Sequence, residues 1–126
     1  MYIGIDLHKQ YSFITTMDQK GNIVNQKRVE HDSKDLDKFV SSLDEDDNIA
    51  MESTINWYYF YELFESKTQN ISLAHPAKTK VIAEAKLKND KVDSEMLAHL
   101  LRTDLLPEAY IPSKETRDLR ELLRYR

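Results

Sequence analysis

Apolar residues are concentrated in short runs near the start of the chain, with polar residues between them. Three runs rich in Ile, Val, Thr and aromatic residues predict β-strands over residues 3–7, 11–17 and 23–29. The polar segment 18–22 holds Gly21 and Asn22, either of which tolerates positive φ, and therefore predicts a hairpin turn. The link between the first two runs is also short, so an antiparallel three-stranded meander is expected.

Beyond residue 30 the apolar spacing changes to the period of a helix. Ser33 is a suitable N-cap for a helix with apolar residues at 36, 39, 40 and 43, and an aromatic stripe at 57, 60, 61 and 64 predicts a second helix. Tyr58 and Tyr59 lie off that stripe and are candidates for nucleic-acid or subunit contacts. Two short apolar runs predict further strands over 49–52 and 71–74. Later helices are expected over 77–87 and 90–103, and from Ser113 or Thr116 onward.

The predicted element order is βββαβαβα, which favours an α/β domain with a mixed five-stranded sheet flanked by helices. Pro107 and Pro112 mark an extended linker. Residues 1–106 are therefore expected to form the domain, and residues 107–126 the linker and the start of a helix. The last helical period reaches Arg126 without a stop signal, which predicts a further region downstream.

Composition limits the classes of protein that the chain can belong to. With 126 residues and 40% hydrophobic content, one domain with one sizeable core is expected. No window is apolar and long enough to span a membrane, and the N-terminus lacks a signal peptide. The absence of cysteine excludes disulfides and thiolate metal sites and fits a cytoplasmic protein.

The net charge of −4 is unevenly distributed along the chain. Residues 1–75 carry 7 basic against 13 acidic side chains, whereas residues 76–126 carry 11 against 9. Two bound divalent cations would cancel the overall excess. The acidic total is therefore weak evidence against a nucleic-acid partner, because local patches set phosphate binding.

Four acids stand where a globular domain favours apolar or neutral residues. Asp6 and Glu52 each end an apolar run that is expected to be a buried strand, and Asp90 and Asp93 lie three apart, on one face of a helix. If strands one and four are adjacent and parallel, Asp6 and Glu52 emerge near the same sheet edge, and a helix packed across that edge could present Asp90 and Asp93 to the same point. Such oxygen-rich sites suit Mg²⁺ or Mn²⁺.

Each acid also has an ordinary structural explanation. Asp90 is a good N-cap, and Glu52 is compatible with an exposed strand end. Asp6 is the hardest to explain in this way, because the residues before it must belong to the core. The conjunction of the four favours a metal site over four unrelated surface acids.

Three short motifs carry a resemblance to a known family. They are residues 3–9 (IGIDLHK), 50–54 (AMEST) and 88–93 (KNDKVD). In this order and spacing they resemble the DEDD insertion-sequence transposases, a Piv-invertase-like family of which some members are guided by a bridge RNA. The N-terminal domain of that family is similar to RuvC, the Holliday-junction resolvase, and has an RNase H-like fold.

The resemblance implies a DNA transposase or recombinase domain that cleaves phosphodiester bonds. Asp6, Glu52, Asp90 and Asp93 would be its catalytic and metal-binding residues, with two Mg²⁺ or Mn²⁺ ions. It also implies DNA as substrate, a bridge RNA in some members, a homo-oligomer and an action at the prokaryotic nucleoid. A downstream serine-bearing domain would complete the site, so this chain alone is expected to be inactive.

The chain departs from the family pattern at Ile55, often Gly, and at Ser94, often Ala. Neither position is a carboxylate, so the departures concern loop geometry. Ser53, Ser94 and Ser113 do not match the family's nucleophilic serine.

Basic side chains supply candidate nucleic-acid contacts, although a solvated helix face explains most of them equally well. His8 would face the same side of its strand as Asp6 and could touch phosphate, with an exposed strand-end histidine as the simpler interpretation. The basic candidates are Lys9, Lys78, Lys80, Lys86, Lys88, Arg117, Arg120 and Arg124.

Three other functions fit parts of the pattern. A stand-alone RuvC-type Holliday-junction endonuclease would use the same carboxylates, but the continuing last helix argues against it. An actin-like or sugar-kinase-type ATP-binding domain also has Gly-x-Asp in its first strand, but it needs a glycine-rich phosphate loop, and this chain has two glycines. A non-catalytic module with the same fold would not need all four acids.

Overall fold

A computed structural model of the chain describes residues 1–52, 57–76, 78–79 and 90–124, without the side chains of residues 90–92, 117, 121 and 124. The strands are β1 (Tyr2–Leu7), β2 (Tyr11–Met17), β3 (Ile23–Glu30), β4 (Asn48–Glu52) and β5 (Ile71–Ala74). The helices are α1 (Lys34–Ser42), α2 (Trp57–Glu65), α3 (Asp90–Arg102) and α4 (Lys114–Arg124). Most of the predicted helix over 77–87 lies outside the described residues.

The five strands form one mixed sheet in the order β3-β2-β1-β4-β5. Strands β1, β2 and β3 pair antiparallel, as expected for the meander, while β1 pairs parallel with β4 and β4 with β5. Strands one and four are therefore adjacent and parallel, which is the condition for Asp6 and Glu52 to lie close together. The arrangement is the predicted RNase H-like α/β fold.

One face of the sheet carries the main hydrophobic core. Alternate residues of the strands point to this face, among them Ile5, Ile14 and Met51, and all three are almost fully buried. Helices α1 and α2 cover the face with Phe39 of α1 and Phe64 of α2, whose rings meet edge to face at 5.8 Å. The predicted apolar stripes of both helices are confirmed.

The opposite face is lined by small residues and is covered by α3. Gly4, Ala50 and Ser72 lie side by side in register across β1, β4 and β5. A Cβ atom on Gly4 would lie 2.1 Å from the Ser94 carbonyl oxygen and 2.7 Å from the Ala98 nitrogen. The helix backbone therefore rests directly on β1, which only glycine at position 4 permits.

Local hydrogen bonds cap the starts of helices and close the turns between elements. Ser33 accepts from the Asp35 backbone N–H at the start of α1, and Ser113 accepts from that of Thr116 at the start of α4. Gly21, with φ of 88°, supplies the positive φ of the β2–β3 turn. The acidic run after α1 is a turn closed by the Asp44 N–H donating to the Asp47 carboxylate.

The segment after Pro107 is tied to the edge of the sheet. The His75 N–H donates to the Pro107 carbonyl and the Ala109 N–H to the Leu73 carbonyl, both at 2.7 Å. Ala109 and Ile111 also pack against the main core. Residues 107–111 thus contact β5, while the division of the chain at residue 106 stays a prediction.

In the described part of the chain, no helix is long and apolar enough to cross a membrane. Helix α4 instead presents exposed leucines to solvent at positions 119, 122 and 123.

Replacing Gly4 by alanine tests the close approach of α3. The new methyl group would overlap two backbone atoms of the helix, so we expect Gly4→Ala to lower the free energy of unfolding by about 3 kcal/mol or more, measured by urea denaturation. Gly21→Asn is the control, because asparagine tolerates positive φ and its Cβ would meet only the flexible end of Arg102. That variant should lose no more than about 1 kcal/mol. Equal losses in the two variants would contradict the proposed contact.

His31 should make the fold sensitive to mild acid. Its Nε2 accepts from the buried Ser12 hydroxyl at 2.7 Å, its Nδ1 faces the Lys9 carbonyl, and its ring lies against Phe60. Burial lowers the pKa of His31 below its ordinary value of 6.5. The unfolded chain therefore takes up the proton first, and stability should fall as the pH drops below about 6.5, levelling off under the folded-state pKa.

The measurement is the free energy of unfolding between pH 5 and 7.5 for the wild type and for His31→Gln. Because glutamine does not titrate, the difference between the two curves isolates the histidine. A constant difference across this range would rule the effect out.

Candidate carboxylate site

Asp6 and Glu52 lie next to each other at the ends of two neighbouring strands. Ile5 of β1 is paired with Met51 of β4, and the two acids are the next residues of these parallel strands. Residues in register on parallel strands point to the same face, about 5 Å apart. That face is the one covered by α3, because Ile5 and Met51 face the main core. Asp6 is 9% exposed and Glu52 is half-buried.

The direction of α3 places its N-terminal end over these acids. Ser94 lies over Gly4, whereas Arg102, at the far end of the helix, reaches Gly21 in the turn beside the start of β1. The helix therefore runs antiparallel to β1. Its first turn, which contains Asp90 and Asp93, lies toward the end of the strands that carries Asp6 and Glu52.

The rotation of α3 turns Asp93 toward β4. Leu97 packs against Ala50 and Ala74 of β4 and β5, and Asp93 precedes it by one helical turn on the same side. The Asp93 side chain is half-buried. Asp90 lies in the same first turn, and its side chain is outside the described residues.

The Asp6 carboxylate has a histidine partner. His8 Nε2 lies 2.8 Å from Asp6 Oδ2, and the His8 ring stacks on Tyr11 with centroids 4.5 Å apart. His8 lies just past the end of β1, and this contact places its ring on the same side as Asp6, as predicted. His8 is thus more than an exposed strand-end histidine, because it orients one oxygen of Asp6.

Among the described residues, no three His, Asp or Glu side chains are gathered closely enough to hold a metal ion. The donor chemistry nevertheless fits Mg²⁺ or Mn²⁺, because the acids brought to this sheet end offer only oxygen ligands. The structure brings Asp6 and Glu52 together on the sheet and puts Asp93 above that end. The assembly of all four carboxylates stays a prediction.

The basic candidates are only partly described. Lys9 is exposed in the β1–β2 turn, Lys78 is exposed at the helical turn that begins at Pro76, and Arg120 is exposed on α4. Arg117 and Arg124 lie on α4 without described side chains. Lys80, Lys86 and Lys88 lie outside the described residues. The nucleic-acid contacts of all these residues stay predictions.

Sequence reasoning missed two residues beside the site, Arg28 of β3 and Tyr11 of β2. Arg28 of β3 pairs with Phe13 of β2, which pairs with Asp6, so the three form one row across the sheet. The Arg28 guanidinium lies over the Tyr11 ring, 3.7 Å from its centroid. The two residues, Arg28 and Tyr11, are brought together by the register of β2 against β3, which the sequence pattern did not predict.

The serines excluded as nucleophiles have other contacts where they are described. The Ser94 hydroxyl is buried and lies 2.6 Å from that of Thr15 on β2, which also accepts from Gln26 Nε2. The neighbouring Glu95 accepts from the same Gln26 amide at 2.7 Å. Ser94, a departure from the family pattern, therefore bonds α3 to the sheet.

The Thr15–Ser94 contact can be measured with a double-mutant cycle. We expect Ser94→Ala to cost about 1 kcal/mol in free energy of unfolding, because it removes a buried hydrogen bond. In the double variant, Thr15→Val with Ser94→Ala, the loss of free energy of unfolding should be smaller than the sum of the two single losses by roughly 0.5–1.5 kcal/mol. Additive losses in urea denaturation would contradict a direct bond.

Comparison with known proteins now bears on this arrangement. A transposase family model, that of the IS110-type DEDD transposases, matches residues 3–126. The chain is also similar to the transposase for insertion sequence element IS1533 of Leptospira borgpetersenii, with 27% identity over 133 residues. The alignment covers 100% of this chain and 38% of that relative, so the chain spans well under half the relative's length.

The family match confirms the resemblance drawn from the three motifs, and it does not favour a stand-alone resolvase or an ATP-binding domain. The match covers nearly the whole chain, including the strand ends that carry Asp6 and Glu52 and the helix that carries Asp90 and Asp93. The chain therefore belongs to the IS110-type family of DEDD transposases.

Proposed function

We propose that this chain supplies the carboxylate centre of a DNA transposase that cleaves and exchanges DNA strands. The observation that carries the proposal is the adjacency of Asp6 and Glu52 at the ends of β1 and β4, under the first turn of α3. Asp90 and Asp93 of that turn complete the set of four. Like charges brought this close repel one another unless cations lie between them.

The proposed cofactor is Mg²⁺ or Mn²⁺, and two ions are proposed. When bound, such ions lower the pKa of the attacking water or hydroxyl group and stabilise the leaving oxygen of a phosphodiester. The protein fixes the position of Asp6 by placing it on the central strand. His8 holds one oxygen of Asp6 in place, and the start of α3 adds a partial positive charge that favours anionic groups.

DNA is the proposed substrate, and the remaining parts of the machinery are proposals as well. As the motif resemblance implies, the proposed full-length protein has a serine-bearing region that completes the active site, and its subunits form a homo-oligomer. A guide RNA and an action at the nucleoid are proposed on the same basis. Without the serine-bearing region, we expect this chain to bind metal but not to complete strand exchange.

Thermal melting with added Mg²⁺ or Mn²⁺ tests the carboxylate centre. Binding to the folded state alone stabilises it, by about 2.7 kcal/mol when the free cation is at 100 times its dissociation constant. We expect such a cation-dependent rise in melting temperature for the wild type. In Asp6→Asn it should be absent or strongly reduced, because one central ligand is neutral.

Asp37→Asn is the matched control. Asp37 is exposed on α1, on the far side of the sheet, and its replacement removes the same charge. This variant should keep the wild-type response to the cation. An equal response in wild type and Asp6→Asn would exclude Asp6 as a ligand, and the lack of any response in the wild type would favour a non-catalytic module.

A further inference from the structure

We propose that Arg28, Tyr11 and His8 form a binding surface for an unpaired segment of DNA, here called the strand-binding patch. The inference rests on the proposed function, because it names how the substrate reaches the same carboxylates. It extends that proposal to Arg28 and Tyr11, which lie outside the three motifs, and to His8, which lies in the first of them.

The patch lies on the same face of the sheet as Asp6. The register aligns Arg28, Phe13 and Asp6 across β3, β2 and β1, so the Cα atom of Arg28 lies two strand spacings, about 10 Å, from that of Asp6. Tyr11 lies two residues before Phe13 on β2, and His8 lies two residues after Asp6, just past the end of β1. A DNA strand lying on the patch would therefore lead directly to Asp6.

The three side chains are held in place by one another. The His8 and Tyr11 rings are nearly parallel, with an angle of 15° between them, and Arg28 Cζ lies 3.7 Å from the Tyr11 centroid. Arg28 Nε also donates to Glu30 Oε1 at 2.7 Å. His8 is tied to Asp6, so the patch and the carboxylate centre are connected by a hydrogen bond.

Arg28 retains donors for a phosphate. Its side chain is 55% exposed, and within the described part of the chain its hydrogen bonding is confined to Nε. The Nη groups are the atoms with which a guanidinium binds phosphate in a bidentate manner. Stacking on Tyr11 and pairing with Glu30 fix the plane of the group before the DNA arrives, which reduces the entropy lost on binding.

The chemistry of the patch favours unpaired rather than duplex DNA. Aromatic rings and guanidinium planes bind nucleotides by stacking on base faces, and in a duplex these faces are covered by neighbouring base pairs. His8 covers one face of the Tyr11 ring and Arg28 covers the other, so the outer face of the guanidinium is the plane on which a base would stack, beside the Nη groups that would contact phosphate. The exposed Lys9 lies in the turn that joins His8 to Tyr11 and adds positive charge nearby.

The test is binding of a fluorescein-labelled 12-nucleotide single-stranded DNA to the 126-residue chain, measured by anisotropy in EDTA at several salt concentrations. We expect Arg28→Gln to weaken binding about tenfold and to reduce the slope of log K against log salt by about 0.7, the value of one single-strand phosphate contact. Tyr11→Leu should weaken binding about tenfold with the slope unchanged, because it removes the ring that holds the guanidinium plane for stacking and leaves the charge in place.

Lys27→Gln is the matched control for Arg28. Lys27 is the adjacent residue of β3, carries the same charge and also lies over an aromatic ring, that of Phe39, but on the opposite face of the sheet. This variant should bind like the wild type. If Tyr11→Leu unfolds, Tyr11→Phe replaces it and should retain wild-type binding, because the ring remains.

Photo-crosslinking localises the contact independently. An oligonucleotide with 5-iodouracil should crosslink to Tyr11 in the tryptic peptide of residues 10–20. Duplex DNA of the same sequence should bind more weakly than the single strand, and an RNA of the same sequence shows whether the patch distinguishes the two sugars. Tighter binding of RNA than of DNA would overturn the choice of DNA.

The proposal is overturned if the wild type does not bind the single strand, if Arg28→Gln and Lys27→Gln have equal effects, or if crosslinks map away from the patch. None of these outcomes bears on the cation response of the carboxylates, which is measured without DNA. Conversely, the loss of that cation response would leave the anisotropy result in EDTA unchanged. The two proposals therefore fail separately.

Discussion

The contact between the backbone of α3 and Gly4 is the constraint on which the rest of the structure depends. No side chain separates the helix from β1 at that point, so the height of the helix above the sheet is fixed by backbone atoms. The helix start, with Asp90 and Asp93, consequently lies above the ends of β1 and β4. A bulkier row beneath the helix would lift these acids away from Asp6 and Glu52. The small residues of one sheet face thus set the height of the first turn of α3 above the strand ends that carry Asp6 and Glu52.

The two faces of the sheet carry different kinds of residue. The face under α1 and α2 is filled with large apolar side chains, which anchor the strands that end in Asp6 and Glu52. The face under α3 buries few large side chains and holds polar contacts instead, such as that between Thr15 and Ser94. The large apolar side chains on one face therefore anchor the strands, and the carboxylates of Asp6 and Glu52 lie on the other face.

Much of the fold and half of the site could be predicted from local sequence. Apolar runs and capping residues fixed the elements, and the position of Asp6 and Glu52 at strand ends needed only that β1 and β4 be neighbours. The Arg28–Tyr11 contact could not be predicted, because the β2–β3 register shifts between Thr16 and Met17. The shift adds one residue to β3. If the register set by the hairpin turn continued without this extra residue, Phe13 would pair with Lys27 and Arg28 would lie on the opposite face.

The bond between Thr15 and Ser94 has a consequence for the sequence separation between Ser94 and the acids of the last motif. Successive residues of a helix are 100° apart, so Ser94 facing β2 fixes the angular phase of every other residue of α3. Asp93 can lie on the β4 side only while Ser94 keeps its hydroxyl on Thr15. One residue inserted between Asp93 and Ser94 would turn both acids a quarter of the way around the helix with every carboxylate still present. The sequence separation between Asp93 and Ser94 therefore determines the direction in which the acids point around the helix. That direction is held by the hydrogen bond between Ser94 and Thr15, which lies 79 positions earlier in the chain.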